Sequence, residues 1–193
     1  MMITTTNFGL AKFGQKQLCA LAGVLGLLLL AGCTDPIPQQ SRPCPMVKVV
    51  QDAAYMTRFA GASEDLTDTS FEARIARSKN LCYYQTNTDT GERVIRTELS
   101  VEFAASRGPN NPDSSAKFNY WIRVTGPGSS QLSSQELDVE IPFTAAKIQG
   151  LAQDSVDVFV PLKQGENGDF YRIYIGLAVS EKELAYNRRN PQF

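Results

Sequence analysis

Histidine, the side chain on which many catalytic and metal sites depend, is absent from the 193 residues of this chain. Without it the sequence has no Ser-His-Asp or Cys-His arrangement and no imidazole ligand for zinc or iron. It also lacks a Gly-x-Ser-x-Gly elbow and a glycine-rich phosphate loop. Two carboxylates that meet only in the folded protein remain open as a glycosidase-type pair. The absence of any nucleophile–base pair predicts a protein that is not an enzyme and holds no cofactor.

Cys33 ends an apolar stretch, residues 18–30, that follows Lys12 and Lys16. A basic start, an apolar middle and small residues before a cleavage point are the parts of a secretory signal. The stretch is shorter than the roughly 20 residues that span a bilayer. The tetrapeptide Leu30-Ala31-Gly32-Cys33 resembles the lipobox of Gram-negative bacterial lipoproteins. This resemblance implies removal of residues 1–32 as a signal peptide and acylation of Cys33.

The same resemblance implies a location. Lipoproteins of this kind carry three acyl chains in many Gram-negative bacteria, which is enough for a stable anchor. Thr34 stands where aspartate commonly retains such proteins in the inner membrane. We therefore expect the periplasmic face of the outer membrane, with the inner membrane as the alternative. Residues 33–43, rich in proline and glutamine, are predicted to be an extended tether.

Two of the four cysteines, Cys44 and Cys82, remain after the signal and the lipid site are set aside. They are too far apart in sequence for a Cys-x-x-Cys redox site. Because the inferred periplasm is oxidising, a Cys44–Cys82 disulfide is expected, and closing its loop would stabilise the fold by about 4 kcal/mol. The alternative is two separately buried thiols.

The charge balance gives no reason to expect nucleic acid as a partner. The net charge is −1, and loss of Lys12 and Lys16 with the signal would make it −3. An anionic membrane surface is equally unsupported as a charge-driven partner. The membrane is expected to be reached only through the acyl chains on Cys33.

Apolar and polar residues alternate in successive short segments, which is typical of strands with one buried face. The clearest case runs from Ile95 to Phe103, where every second residue is apolar or threonine. Turn-forming residues separate the segments, as in Asn87–Gly91. Further alternation occurs in residues 47–49, 71–75, 118–124, 137–143, 156–160 and 171–179, with a short segment at 82–85.

About eight strands at this spacing predict an all-β fold, an antiparallel, immunoglobulin-like β-sandwich, in residues 44–193. A closed barrel is the alternative topology. Ser180 and Glu183 have the spacing of a capping box and predict a short C-terminal helix from Glu181 to about Arg189. One helical turn is also expected within residues 145–153.

Two oxygen-rich segments raise the question of calcium. Glu64, Asp65 and Asp68 lie in one segment, and residues 87–91 place oxygens at alternate positions. Neither supplies the full ligand series of a calcium loop, and Asx-turns or helix caps explain both. No metal site is therefore predicted.

Trp121 is the only tryptophan, and alternation places it with Arg123 on the polar face of its strand. Tryptophan and arginine are enriched at interface hot spots, so these two residues are candidates for partner binding. The alternative is that a loop or the C-terminal helix covers Trp121. Arg188 and Arg189 in the basic tail are further candidates for docking on an acidic partner. The alternative is that the tail is a frayed, solvated chain end.

The domain is similar in architecture and anchor to small β-sandwich lipoproteins of Gram-negative envelopes. We expect a non-catalytic, lipid-anchored envelope protein that serves as an accessory or scaffold subunit for a protein partner. The alternative is a ligand-binding module for an envelope glycan or lipid. Candidates for lining such a site are Tyr83, Tyr84, Tyr171 and Tyr174.

Overall fold

Two four-stranded sheets pack face to face in the computed structural model, which describes residues 42–191. The eight strands of this region are β1 (Met46–Val49), β2 (Tyr55–Phe59), β3 (Thr69–Thr86), β4 (Arg93–Arg107), β5 (Ser115–Thr125), β6 (Gln131–Pro142), β7 (Gln149–Leu162) and β8 (Arg172–Leu177). The first sheet has the order β1-β8-β5-β6, and the second has the order β2-β3-β4-β7. Neighbouring strands are antiparallel, apart from the parallel pair β1 and β8.

This arrangement confirms the predicted all-β sandwich, because the strands form two sheets rather than one closed barrel. The finer, immunoglobulin-like description stays a prediction. The predicted signal peptide (1–32), Cys33 and most of the tether (33–43) lie outside the described residues.

The core fills the space between the two inner sheet faces, and Phe103 lies at its centre. Phe103 is fully buried, with its ring centroid 5.8 Å from that of Phe118 and 4.8 Å from that of Tyr120 on the opposite sheet. Ile95, Thr97, Leu99 and Val101 are buried as their alternation predicts. The clearest strands, such as β4 and β5, therefore turn every second side chain into this interior and the others outwards.

The long strand β3 was expected as two pieces, residues 71–75 and 82–85, but it runs without a break. Its pairing with β4 shifts register between Ile75 and Arg77. An extra residue at such a bulge reverses which positions face the core. Cys82 and Tyr84 consequently pack against the core after the shift, although they are out of phase with Ile75.

Two local features differ from expectation. Strand β2 was not predicted, because three consecutive residues from Tyr55 to Thr57 are buried and no alternation results. The helical turn expected within residues 145–153 is wrong. Thr144 and Lys147 form an antiparallel bridge around a tight turn, and β7 begins two residues later at Gln149.

The predicted C-terminal helix, α1 (Glu181–Arg189), is confirmed together with its capping box. The Ser180 hydroxyl accepts a hydrogen bond from the Glu183 amide at 3.2 Å, and the Glu183 carboxylate accepts one from the Ser180 amide at 2.8 Å. These bonds satisfy amides that would otherwise lack partners at the helix start.

The chain enters the domain through a fixed segment, residues 42–45. Cys44 forms the expected disulfide with Cys82, with their Cα atoms 5.7 Å apart. The Tyr84 hydroxyl donates to the Pro43 carbonyl at 2.6 Å and accepts from the Gly168 amide at 2.7 Å. A covalent bond and one hydrogen bond therefore hold the segment that precedes β1, and Tyr84 also connects it to Gly168.

Replacing both Cys44 and Cys82 with serine is expected to lower the free energy of unfolding by about 4 kcal/mol, because the bridge closes a loop with a sequence separation of 38. Urea unfolding followed by the fluorescence of Trp121 measures this change. Tyr84→Phe is the control, since it removes hydrogen bonds from the same segment but keeps the bridge. Equal unfolding midpoints for the double variant and the unmodified protein would contradict the prediction.

Candidate functional site

Trp121 lies on the outer face of β5 and is partly exposed, whereas its neighbours Tyr120 and Ile122 are buried in the core. The indole Nε1 donates a hydrogen bond to the carbonyl of Leu177 at 3.1 Å. Its ring lies flat over Gly176, the cross-strand partner of Trp121 on β8. A Cβ atom on Gly176 would overlap Cζ2 and Cε2 of the indole. Glycine at this position is therefore what lets the ring lie against the sheet.

Arg123 extends over the indole from two residues further along β5. Its guanidinium carbon lies 4.7 Å from the ring centroid of Trp121, which is a cation–π contact worth about 0.5–1 kcal/mol at an exposed site. Arg123 is exposed, and within residues 42–191 no carboxylate forms an ion pair with it. The pair thus presents an ordered aromatic ring and a positive charge that is free to bind.

Helix α1 stands beside this pair because Asn187 fixes it to the sandwich. The Asn187 side-chain amide donates to the carbonyls of Asp52 at 2.9 Å and Tyr55 at 2.7 Å. The Tyr55 hydroxyl donates back to the Asn187 carbonyl at 2.9 Å. Asn187 is only 1% exposed, so these bonds are shielded from water and are costly to lose.

A groove of about 620 Å³ lies between α1 and the outer face of the first sheet. Its rim is charged, with Arg188 Nε 2.9 Å from Asp52 Oδ2 and Arg58 Nε 2.9 Å from Glu183 Oε1. Its lining combines an aromatic ring, aliphatic side chains and arginines, among them Trp121, Arg123, Val50, Val179, Leu184 and Arg188. We call this feature the Trp121 groove.

The structure brings three of the four expected partner-binding residues together. Trp121, Arg123 and Arg188 line the same groove, although they are far apart in sequence. Arg189 instead points to the loop before β3, where its Nη2 lies 2.8 Å from Glu64 Oε2. The tail arginines are therefore ordered by ion pairs, and only Arg188 belongs to the groove.

The tyrosines proposed for a ligand site are scattered. Tyr83 is exposed on the outer face of the second sheet, and Tyr174 lies on the outer face of the first. Tyr84 holds the chain's entering segment, and Tyr171 is buried in the core. Burial, with a hydrogen bond to the Glu166 carboxylate, raises the pKa of Tyr171 to about 12. These four side chains do not line a common cavity.

Side chains of the two segments that raised the question of calcium have hydrogen-bond or ion-pair partners within the protein, and Glu64 is the one paired over a long sequence distance, with Arg189. Asp65 Oδ1 accepts from both the amide and the hydroxyl of Thr67, and these bonds lower the pKa of Asp65. Asp68 accepts from Ser63, and Asn87 Oδ1 accepts from the amide of Asp89. Within residues 42–191 no three or more potential ligands from His, Cys, Asp and Glu are grouped for a metal ion.

Sequence reasoning missed the other groove residues for different reasons. Gly176 carried a usable signal, since an isolated glycine inside a strand often marks close approach of another group. The sequence around Asn187 contains no signal for its role, because its partners Asp52 and Tyr55 are more than 130 positions away. The groove as a whole is a product of tertiary structure.

The chain matches no family model, no curated protein and no solved structure. The fold and the site define it as a disulfide-linked β-sandwich with an aromatic–arginine groove beside a C-terminal helix. In the described part, none of the helices has the length and apolar character needed to cross a membrane.

Gly176→Ala is expected to displace the indole of Trp121 and break its bond to Leu177, at a cost of about 1–3 kcal/mol. The emission maximum of the single tryptophan should shift to longer wavelength, because the ring becomes more hydrated. Gly61→Ala is the matched control, since its new Cβ would lie 3.6 Å from the nearest atom. An unshifted emission spectrum in Gly176→Ala would show that the ring does not depend on this glycine.

Asn187→Ala is expected to lower the free energy of unfolding by about 2–3 kcal/mol, because two buried carbonyls lose their donor. Amide exchange in α1 should rise more than exchange in β4, since the helix loses its attachment. Asn190→Ala is the control, because Asn190 is exposed and its side chain bonds only within the helix end. Similar stability losses in the two variants would contradict this account of the helix.

Proposed function

We propose that this chain is a non-catalytic, lipid-anchored protein of the Gram-negative envelope, and that it acts as an accessory or scaffold subunit. Its protein partner binds at the Trp121 groove. The single observation that carries this proposal is the stacked pair of Trp121 and Arg123, held in place on an exposed sheet face.

The physical argument concerns preorganisation. The indole of Trp121 is oriented by its bond to Leu177 and by Gly176, so little side-chain freedom remains to be lost on binding. Tryptophan and arginine dominate interface hot spots because they combine a large apolar area with directed polar contacts. Arg123 has no ion-pair partner within the described residues, so an acidic group on the partner could pair with it without displacing an internal bond.

The anchoring part of the proposal rests on the sequence. The tetrapeptide ending at Cys33 resembles a lipobox, and residues 34–43 have the composition of a stiff tether. Acyl chains on Cys33 would confine the domain to the periplasmic face of the outer membrane. Confinement raises the effective concentration of the groove near other envelope proteins, so moderate intrinsic affinity would suffice.

Two facts support a role without catalysis. The chain contains no histidine, and the carboxylates of Asp65 and Asp68 accept local hydrogen bonds that account for their positions. The ligand-binding alternative draws less support, because its four candidate tyrosines lie on different surfaces.

Chemical crosslinking with mass spectrometry on native membranes tests the proposal. A near-stoichiometric partner should be captured, with crosslinks close to α1 and β5. Trp121→Ala is expected to reduce the yield by about tenfold or more, because loss of a hot-spot side chain costs roughly 2 kcal/mol or more. Arg123→Ala should reduce it as well.

Leu151→Ala is the matched control, because Leu151 is a 69% exposed apolar side chain on the outer face of the other sheet. An unchanged crosslink yield in Trp121→Ala would contradict the groove as the binding site. Capture of only abundant envelope proteins at low yield would contradict the accessory-subunit role and favour the ligand-binding module.

A further inference from the structure

The exposed aromatic side chains of the described region gather toward one end of the sandwich. Tyr83, Phe159 and Phe170 are 42%, 55% and 50% exposed. Tyr83 and Phe159 flank Arg96 in one cross-strand row on the outer face of the second sheet. Phe170 lies in the loop between β7 and β8, directly before the strand start at Arg172.

The chain enters the domain at the same end. Strands β1, β4 and β8 begin there, and β3 and β7 end there. Gly168 lies so close to the entering segment that a Cβ would overlap the Pro43 carbonyl oxygen. The disulfide from Cys44 to Cys82 connects this segment to the residue next to Tyr83. We call the region formed by residues 42–45, 83–96 and 159–171 the tether end.

The opposite end carries a different set of exposed side chains. Leu66 and Leu151 are 65% and 69% exposed, and Ile148 is 58% exposed. These side chains are aliphatic, as are the exposed Met46 and Leu132 toward the tether end, so within residues 42–191 only the tether end combines exposed aliphatic and exposed aromatic side chains. Aromatic rings favour the boundary between lipid headgroups and acyl chains, because one part of the ring is apolar and another is polarisable or polar.

The tether length favours contact of the tether end with the membrane. Eight residues separate Cys33 from Arg42, and at about 3.1 Å per residue they reach less than 30 Å. Strand β4, with 15 residues, is about 50 Å long. A chain attached to lipid at Cys33 therefore holds the tether end within about 30 Å of the bilayer, a limit that the far end does not share.

We infer that the tether end docks on the lipid surface through Phe170, Phe159 and Tyr83. The occupant of this surface is the headgroup boundary of the leaflet that holds the acyl chains, so the inference rests on the proposed lipid anchor. Arg42 and Lys163 are offset by acidic residues at the same end, including Asp89 and Asp169. Insertion of aromatic rings, and not net charge, supplies the attraction.

This orientation leaves the Trp121 groove accessible. Trp121 pairs with Gly176, four residues along β8 from Arg172 at the tether end. At about 3.3 Å per residue Trp121 lies roughly 13 Å from Arg172 along the strand direction. The groove opens on the outer face of the first sheet, whereas Tyr83 and Phe159 lie on the second.

Quenching by brominated lipids tests the docking. The protein is expressed from its full-length sequence and purified from membranes after native processing. It is then reconstituted in phosphatidylethanolamine–phosphatidylglycerol vesicles whose lipids carry bromine atoms near the headgroups. In a Trp121→Phe background, Phe170→Trp should lose at least about half of its emission, as expected for a ring at the interface. Phe159→Trp serves as a second probe should the first variant fold poorly, and Leu151→Trp is the control at the far end.

The outcomes separate the two proposals. Strong quenching at positions 170 or 159, with little at 151, supports docking of the tether end. Equal quenching at all three positions, or none at any, overturns the docking when mass spectrometry shows acyl chains on Cys33. If Cys33 carries no acyl chains, the lipid anchor is overturned, and the docking with it. The same conclusion follows if the Cys33→Ser variant still floats with the vesicles. Quenching that disappears in high salt contradicts attraction by aromatic rings.

Discussion

The contact of Phe103 with Phe118 and Tyr120 joins the two sheets, and the burial of these rings sets which side chains of β4 and β5 face outwards. Since successive residues of a strand face opposite sides, burying Tyr120 and Ile122 obliges Trp121 to lie outside. The same rule applied to β4 and β7 places Arg96 and Phe159 on the far surface of the second sheet. The core thus determines two candidate binding surfaces that share no residue and lie on the outer faces of different sheets.

Much of the fold was predictable because its signals are local. The alternation of residues 95–103 and the capping box at Ser180 are each contained in a short segment. The disulfide was predicted from the two remaining cysteines and the expectation of an oxidising compartment. The failures have physical causes as well. The bulge after Ile75 reverses the pattern within β3, and β2 shows no alternation because α1 covers the side that would otherwise face water.

The candidate site was predictable only in part. Trp121 and Arg123 are two positions apart, so their common face follows from strand periodicity. The groove beside them requires Asn187 to hold α1 against residues more than 130 positions earlier, and no local pattern contains that information. Helix geometry explains why Arg188 joins the groove while the adjacent Arg189 turns to Glu64. Successive helical residues point in directions about 100° apart, so neighbours in sequence serve different surfaces.

The disulfide between Cys44 and Cys82 also determines how the domain bears mechanical load. Tension between an anchored lipid and a bound partner would enter at Arg42 and reach Cys44 before it reaches β1. The bridge passes that tension to β3, which pairs with β4 over 15 residue positions, whereas β1 pairs with β8 over four. The shortest strand of the first sheet is thereby bypassed. A pull on the tether first loads β3, which has the longest strand pairing of the described residues.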